Sequence, residues 1–294
     1  MNTRVAPGSA AFSLMVLLCA AWGLQQVAIK VASVGISPIL QAALRSAGAA
    51  ALVFAWARWR GIALFSSDKS LRPGLLVGLL FGLEFVFIFV GVDRTTVSRM
   101  VVFLYTAPCF TVLGLHFVVP GERMGLRQWI GVLLAFVGLV TAFIDEAAGG
   151  SIMGDIFGVL AALLWATTTV LIRATALARV TATKVLLYQL VVSAVVMFPL
   201  SWLVGERGIG VLSAPTLWAM AYQIVIVAFI SYLAWFWLLT RYLAGRLLVF
   251  SFLTPLFGVL FGMLLMNDRP SLHFFVAAAM VVSGIVLVNL RARN

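Results

Sequence analysis

The sequence predicts an all-α membrane protein: ten transmembrane helices arranged as two inverted five-helix repeats, with both termini in the cytoplasm. Three observations predict it. Apolar runs of about twenty residues, enough to cross a hydrocarbon core of about 30 Å, recur along the whole chain. Basic residues are dense in every second connection and sparse in the others, and the second half repeats residue spacings of the first. The composition agrees, with 64% of the 294 residues hydrophobic, 10% charged and a mean hydropathy of +1.15. Soluble domains do not reach such values.

The ten runs cover 11–33, 37–57, 72–92, 97–119, 124–143, 153–174, 181–203, 214–239, 244–266 and 271–290. Turn and charge signals part them: Ser37-Pro38, Ser66-Ser67-Asp68-Lys69, Pro120-Gly121-Glu122-Arg123, Gly149-Gly150-Ser151, Gly205-Glu206-Arg207-Gly208 and Asn267-Asp268-Arg269-Pro270. No connection is long enough to house a soluble domain. Arg4 and the small residues Cys19-Ala20-Ala21 give the first run some features of a signal peptide. The run continues to Val34, however, and reads as a retained first helix. Cys19 and Cys109 fall in different spans and read as small apolar fillers rather than a disulfide.

A net charge of +11 suggests a nucleic-acid partner until the charges are placed. With a cytoplasmic N-terminus, the inner segments hold Arg4, Arg58, Arg60, Lys69, Arg72, Arg123, Arg127, Arg173, Arg179, Lys184, Arg241, Arg246, Arg291 and Arg293. The outer segments hold Lys30, Arg94, Arg99, Arg207 and Arg269, and Arg45 lies within a span. Such a bias orients a membrane protein. The basic balance is therefore an orientation signal, with the lipid bilayer as partner and no nucleic acid.

The self-match divides the chain into 1–147 and 148–294. "RMVVFLYTAPCFTVLGLHF" from Arg99 parallels "RLLVFSFLTPLFGVLFGML" from Arg246, each arginine nine residues before a proline, Pro108 or Pro255. Leu126 and Gly138 are twelve apart, as are Leu272 and Gly284; Trp22 precedes Lys30 by eight, as Trp165 precedes Arg173. An odd number of helices per repeat makes the second half enter the membrane from the opposite side. Secondary transporters of this design hold substrate near the midplane between repeats. Pro108 and Pro255 each remove a backbone hydrogen bond within a span and stand as hinge candidates, or as tolerated prolines.

These residues resemble a known family. "WGLQQVAIK" (Trp22–Lys30) and "TAPCFTVLGLHFVVPGERMGLRQWIGVLLAFVGLV" are similar to the drug/metabolite transporter superfamily, in its EamA-type ten-helix branch. "YLAGRLLVFSFLTPLFGVLFGMLLMNDRPS" resembles the same block, with NDR for GER and without the RQW. The likeness covers essentially the whole chain and is nearest, in general character, to the YddG-type exporters of aromatic and neutral amino acids. It implies a transporter with a small-molecule substrate and says little about which one. A sugar phosphate, a nucleotide-linked metabolite and a cationic drug stay open as cargo, as does a homodimer.

Polar residues mark one depth. At about 1.5 Å per residue, Glu84 and Arg45 each lie roughly 12 Å from the outer ends of their helices, level with Gln25 and Gln26. Side chains at that depth face the bundle interior. The second half carries Ser231 where the first has Glu84, Gln189 near the place of Arg45, and Thr167, Thr168 and Thr169 near that of Gln25 and Gln26. One reading of Arg45 and Glu84 is a buried ion pair that fixes packing, of little net stability. Another is a wet belt in which Glu84 meets a substrate ammonium and Arg45 a carboxylate, with the glutamines orienting it. In a third, Glu84 carries a proton.

Aromatic rings complete the candidate site. Phe81, Glu84, Phe85 and Ile88 share one helical face, and Ser231, Tyr232 and Trp235 another. The substrate-binding set is Trp22, Gln25, Gln26, Arg45, Phe81, Glu84, Phe85, Tyr105, Trp165, Thr169, Tyr188, Gln189, Ser231, Tyr232 and Trp235. The stripe Gly74, Gly78 and Gly82 reads as helix packing or as room for substrate. No HExxH, DDxxD, CxxC or GxxxxGK[ST] pattern occurs, and His116 and His273 have no neighbouring metal ligand in sequence. No enzyme, cofactor or metal is expected. The expected activity is export of bulky neutral or aromatic amino acids through an inner membrane by alternating access.

Overall fold

The computed structural model describes residues 5–66, 68–92, 94–95, 97–143, 151–266 and 272–290. Among them every regular element is helical. The first half holds α1 (Ser9–Ala32), α2 (Pro38–Trp59), α3 (Leu71–Val92), α4 (Val97–Leu104), α5 (Ala107–Val118) and α6 (Leu126–Ala142). The second holds α7 (Ile152–Ala174), α8 (Ala182–Leu203), α9 (Ala214–Ala221), α10 (Tyr232–Arg241), α11 (Ala244–Leu248), α12 (Leu253–Met266) and α13 (Leu272–Asn289). Eight helical stretches are long and apolar enough to cross a membrane, and Leu126–Ala142 and His273–Asn289 are shorter apolar helices.

Both candidate hinge prolines mark breaks. Pro108 cannot donate to Leu104, and the helix stops there, resuming at Ala107 after a turn through Tyr105 and Thr106. Thr106 Oγ1 bonds the Phe103 carbonyl at 2.6 Å across the gap. In the second half the backbone tightens to a 3₁₀ turn over Val249–Phe252 just ahead of Pro255, and Ser251 Oγ bonds the Leu248 carbonyl at 2.6 Å. A third departure carries no proline. Between α9 and α10, residues Tyr222–Ser231 form ten residues of π-helix, a wide turn that often accompanies functional positions.

The contacts of one half recur in the other. α1 packs on α12 and on the α9–π stretch, while its counterpart α7 packs on α5 and α3. Two pairs of counterpart helices pack on each other and run antiparallel. In α2 and α8, Ser46 Oγ lies 3.4 Å from Ser193 Oγ, and the first amides of α2, Ile39 and Leu40, bond the Glu206 carboxylate just beyond α8 at 2.8 and 2.9 Å. A carboxylate suits that helix start, whose first N–H groups have no helical acceptor. In α6 and α13, Gly131 opposes Gly284 and Gly138 opposes Ala277. The stripe Gly74, Gly78 and Gly82 backs onto Tyr188, Val192 and Ser193 of α8, so it serves packing.

Among the described residues three ion pairs join the halves: Arg99–Asp155, Glu122–Arg173 and Lys184–Asp68. Glu122 and Arg173 are buried, and Glu122 also accepts the amides of Ala244 and Gly245 at 3.2 and 3.5 Å while Arg173 Nη1 reaches the Leu239 carbonyl at 2.5 Å. In the loop after α2, the Lys184 ammonium and then the Ser70 and Ser66 hydroxyls hold the Asp68 carboxyl well below the usual carboxylate range. All three pairs sit near helix ends.

A methyl group on Gly284 would stand 2.5 Å from the Gly131 carbonyl oxygen and 2.8 Å from the Ala135 nitrogen, both backbone atoms. Gly284→Ala is expected to lower the melting temperature of the detergent-solubilised protein through overpacking of about 1–3 kcal/mol. Gly82→Ala, whose methyl would meet nothing nearer than 3.6 Å, should leave it unchanged. Equal melting of wild type and Gly284→Ala would show that the α6–α13 crossing can open at no cost.

Candidate functional site

The belt assembles around α3. Phe81 and Phe85 lie one turn apart, their rings 5.1 Å apart and edge to face. Glu84 sits between them in sequence and is 7% exposed. From α2, Arg45 places its guanidinium carbon 4.5 Å from the centre of the Phe85 ring. Arg45 is 2% exposed, and its Nε and Nη2 have no acceptor. It forms no ion pair with Glu84. Arg45 thus lies on the residue next to Glu84, and Tyr232 lies against Phe81, three residues before it. A basic and an acidic side chain share one buried region without an ion pair.

The rings continue across the half-to-half boundary. Tyr232 meets Phe81 at 6.2 Å and Trp22 at 6.4 Å, and Trp22 meets Trp235 at 6.0 Å. These edge-to-face contacts make one aromatic path from Arg45 through Phe85, Phe81, Tyr232 and Trp22 to Trp235. Trp22 Nε1 donates to Ser231 Oγ at 2.8 Å, and that hydroxyl donates to the Val227 carbonyl at 2.5 Å. So the serine in the place of Glu84 spends its hydroxyl within the bundle. Ser231 closes the π stretch, and the wide turns before it set the rotation at which Ser231, Tyr232 and Trp235 all reach Trp22.

A second aromatic pair joins the fourth span to the sixth. Tyr105, in the break ahead of Pro108, lies edge-on to Trp165 at 5.7 Å. Thr169 is buried, but its hydroxyl is spent on the Trp165 carbonyl of its own helix at 3.2 Å. Thr168, beside it, is the one with a buried hydroxyl lacking any partner. That residue was detectable: the offset that carries Trp22 onto Trp165 carries Gln25 onto Thr168. Thr254, next to Pro255, also buries an unpartnered hydroxyl. Gln25 and Gln189 are buried. The Gln26 side chain lies outside the described residues.

Tyr188 stands apart from the belt. Its hydroxyl is 3.1 Å from Ser70 Oγ and its ring covers Gly74, about 15 Å along α3 from Glu84. In the sequence Glu122 and Arg173 look like one residue of a turn and one of a helix end. Only the bundle brings them together.

A bundle of apolar helices with charged and aromatic groups gathered at its middle defines a multi-pass membrane transporter. The chain matches the EamA-like transporter family twice, over residues 9–144 and 152–290, and belongs to it. An uncharacterized transporter of Archaeoglobus fulgidus is 24% identical over 94% of this chain and 96% of its own. A protein of Escherichia coli named a probable amino-acid metabolite efflux pump is 22% identical over 93% of each. One solved crystal structure shares the fold, with a TM-score of 0.82 at 23% identity over 96% of this chain and 99% of that one.

Replacing Arg45 tests whether it holds the fold. Arg45→Met gives up a cation–π contact of about 0.5–2 kcal/mol but removes an unpaired guanidinium from a low-dielectric interior. The melting temperature is expected to hold or rise. A loss on the order of 3–5 kcal/mol, the size seen when a buried pair is broken, would make Arg45 a structural residue.

Proposed function

We propose that this protein exports bulky neutral or aromatic amino acids across the inner membrane by alternating access, as a ten-helix carrier with both termini in the cytoplasm. One observation carries the reading: in a buried region walled by aromatic rings, Arg45 keeps Nε and Nη2 without an acceptor and forms no ion pair with the buried Glu84 of the neighbouring helix. A zwitterion with an apolar side chain answers all three features. Its carboxylate takes the free N–H groups of Arg45, its ammonium meets Glu84, and its side chain lies on Phe81, Phe85, Trp22 and Tyr232. The Escherichia coli relative's name, which includes amino-acid metabolite efflux, supports the same class of cargo.

The mechanism follows from two halves of inverted orientation. Antiparallel packing of counterpart helices, α2 on α8 and α6 on α13, supports that inversion, because a two-fold axis relating antiparallel neighbours lies across the helices. Each half then takes the partner's conformation in turn, giving outward-open and inward-open states of similar energy. The breaks before Pro108 and Pro255 supply flexible points, and the ion pairs near the helix ends are the contacts that close and open.

Purified protein in liposomes, loaded with unlabelled amino acid and assayed for uptake of labelled phenylalanine, leucine and glycine, tests this. Counterflow of the two bulky substrates is expected, with little for glycine. Arg45→Met should abolish it while the protein stays folded. Glu84→Gln should weaken it at least tenfold, the cost of losing one charge-assisted bond of about 1.5–3 kcal/mol. No exchange of any amino acid, together with exchange of a sugar phosphate or a cationic drug, would retire the proposal.

A further inference from the structure

The two-fold likeness of the halves exposes a charge that has lost its partner. The offset that carries Pro108 onto Pro255 carries Arg99 onto Arg246, and the one that carries Trp165 back onto Trp22 carries Asp155 back onto Phe12. The geometry respects that correspondence. Arg99 forks onto Asp155, with Nε 3.0 Å from Oδ1 and Nη2 on Oδ2. At the two-fold-related place Phe12 of the first half turns its ring onto Phe250 of the second, one turn beyond Arg246, at 5.3 Å. Arg246 therefore stands where its counterpart has a carboxylate. Among the described residues it forms no ion pair, and its Nε is buried without an acceptor.

A second guanidinium stands beside it. Arg127 Nη2 bonds the Leu290 carbonyl at the end of α13, and Asn289 Nδ2, one residue earlier, reaches the Arg246 carbonyl at 3.4 Å. Both arginines therefore contact consecutive positions, Asn289 and Leu290, at the end of α13. Two like charges held together at one end of a membrane bundle are stabilised by an anion between them. Capping of α13 accounts for Arg127 but leaves the Arg246 side chain unexplained. Below the pair the surface is apolar and open: Leu126 is 78% exposed, Ile130 50%, Val286 51% and Leu290 48%. A free phosphate has no use for that surface, whereas acyl chains do.

We propose that Arg246 and Arg127 bind the phosphate of an anionic phospholipid in the leaflet at this end of the bundle. The lipid headgroup replaces the acid that the second half supplies to Arg99 as Asp155. Its chains lie along the exposed side of α6 and α13, so the lipid braces the crossing built on Gly131 and Gly284.

The test uses the full chain in detergent, with native mass spectrometry to count retained lipid and melting temperature as a second readout. Phosphatidylglycerol is expected to be retained and to raise the melting temperature; phosphatidylcholine and inorganic phosphate at the same concentration are not. Arg246→Gln should weaken phosphatidylglycerol binding about fivefold, the worth of one arginine near an anionic surface. Phe12→Asp leaves both arginines in place and gives Arg246 an internal partner. It should abolish lipid retention while the lipid-free protein keeps its melting temperature, and it decides the matter should Arg246→Gln fail to fold. Undiminished phosphatidylglycerol retention in either variant, or equal retention of phosphatidylcholine, overturns the proposal. Stabilisation by inorganic phosphate equal to that by phosphatidylglycerol overturns the lipid as its source.

Discussion

A bilayer offers no hydrogen bonds to side chains within it, and a charge there must find its partner in the protein. That constraint sorts the buried charges into two kinds. Near the helix ends they are paired across the two halves: Glu122 with Arg173 and the first amides of α11, Asp155 with Arg99, Glu206 with the start of α2. At the middle, Arg45 and Glu84 form no ion pair with each other. Charges at the ends can hold halves together; the proposed carrier would use those in the middle for its cargo.

The near-symmetry of the halves acts as an internal control on chemistry. Where the first half has Glu84, Ser231 takes the Trp22 indole N–H and bonds its own helix. Asp155 anchors Arg99, while Phe12 leaves Arg246 to other partners. The scaffold itself is treated alike in both halves: antiparallel crossings, small residues where backbones meet, a helix broken shortly before a proline. Packing therefore tolerates the exchange of polar for apolar residues at these positions. The π stretch before Ser231 has no counterpart in α3, and it aims the second half's aromatic residues at the first half's tryptophan.

Legibility followed the range of the forces involved. Glu84 was identifiable because its neighbours in sequence are apolar, and the Phe81–Phe85 pair because one helical turn brings them together. Gln25 and Thr168 shared an offset that a repeat makes visible. Tyr188, by contrast, has the right residue type on the right helix but turns toward Ser70 and Gly74, away from the belt. Nothing local fixes that rotation. Neither a GER turn nor a helix-end arginine signals alone that Glu122 and Arg173 will meet.

Taken alone, the sequence determined the apolar spans and the repeat and marked Pro108 and Pro255 as candidate breaks, because hydropathy and backbone donors are properties of a single segment. Tertiary structure decided which way each helix is turned about its axis. It laid Arg45 on Phe85 instead of against Glu84, drew Trp22 to Ser231 and closed Glu122 on Arg173. Those choices depend on how side chains on neighbouring helices interlock, which no single helix encodes.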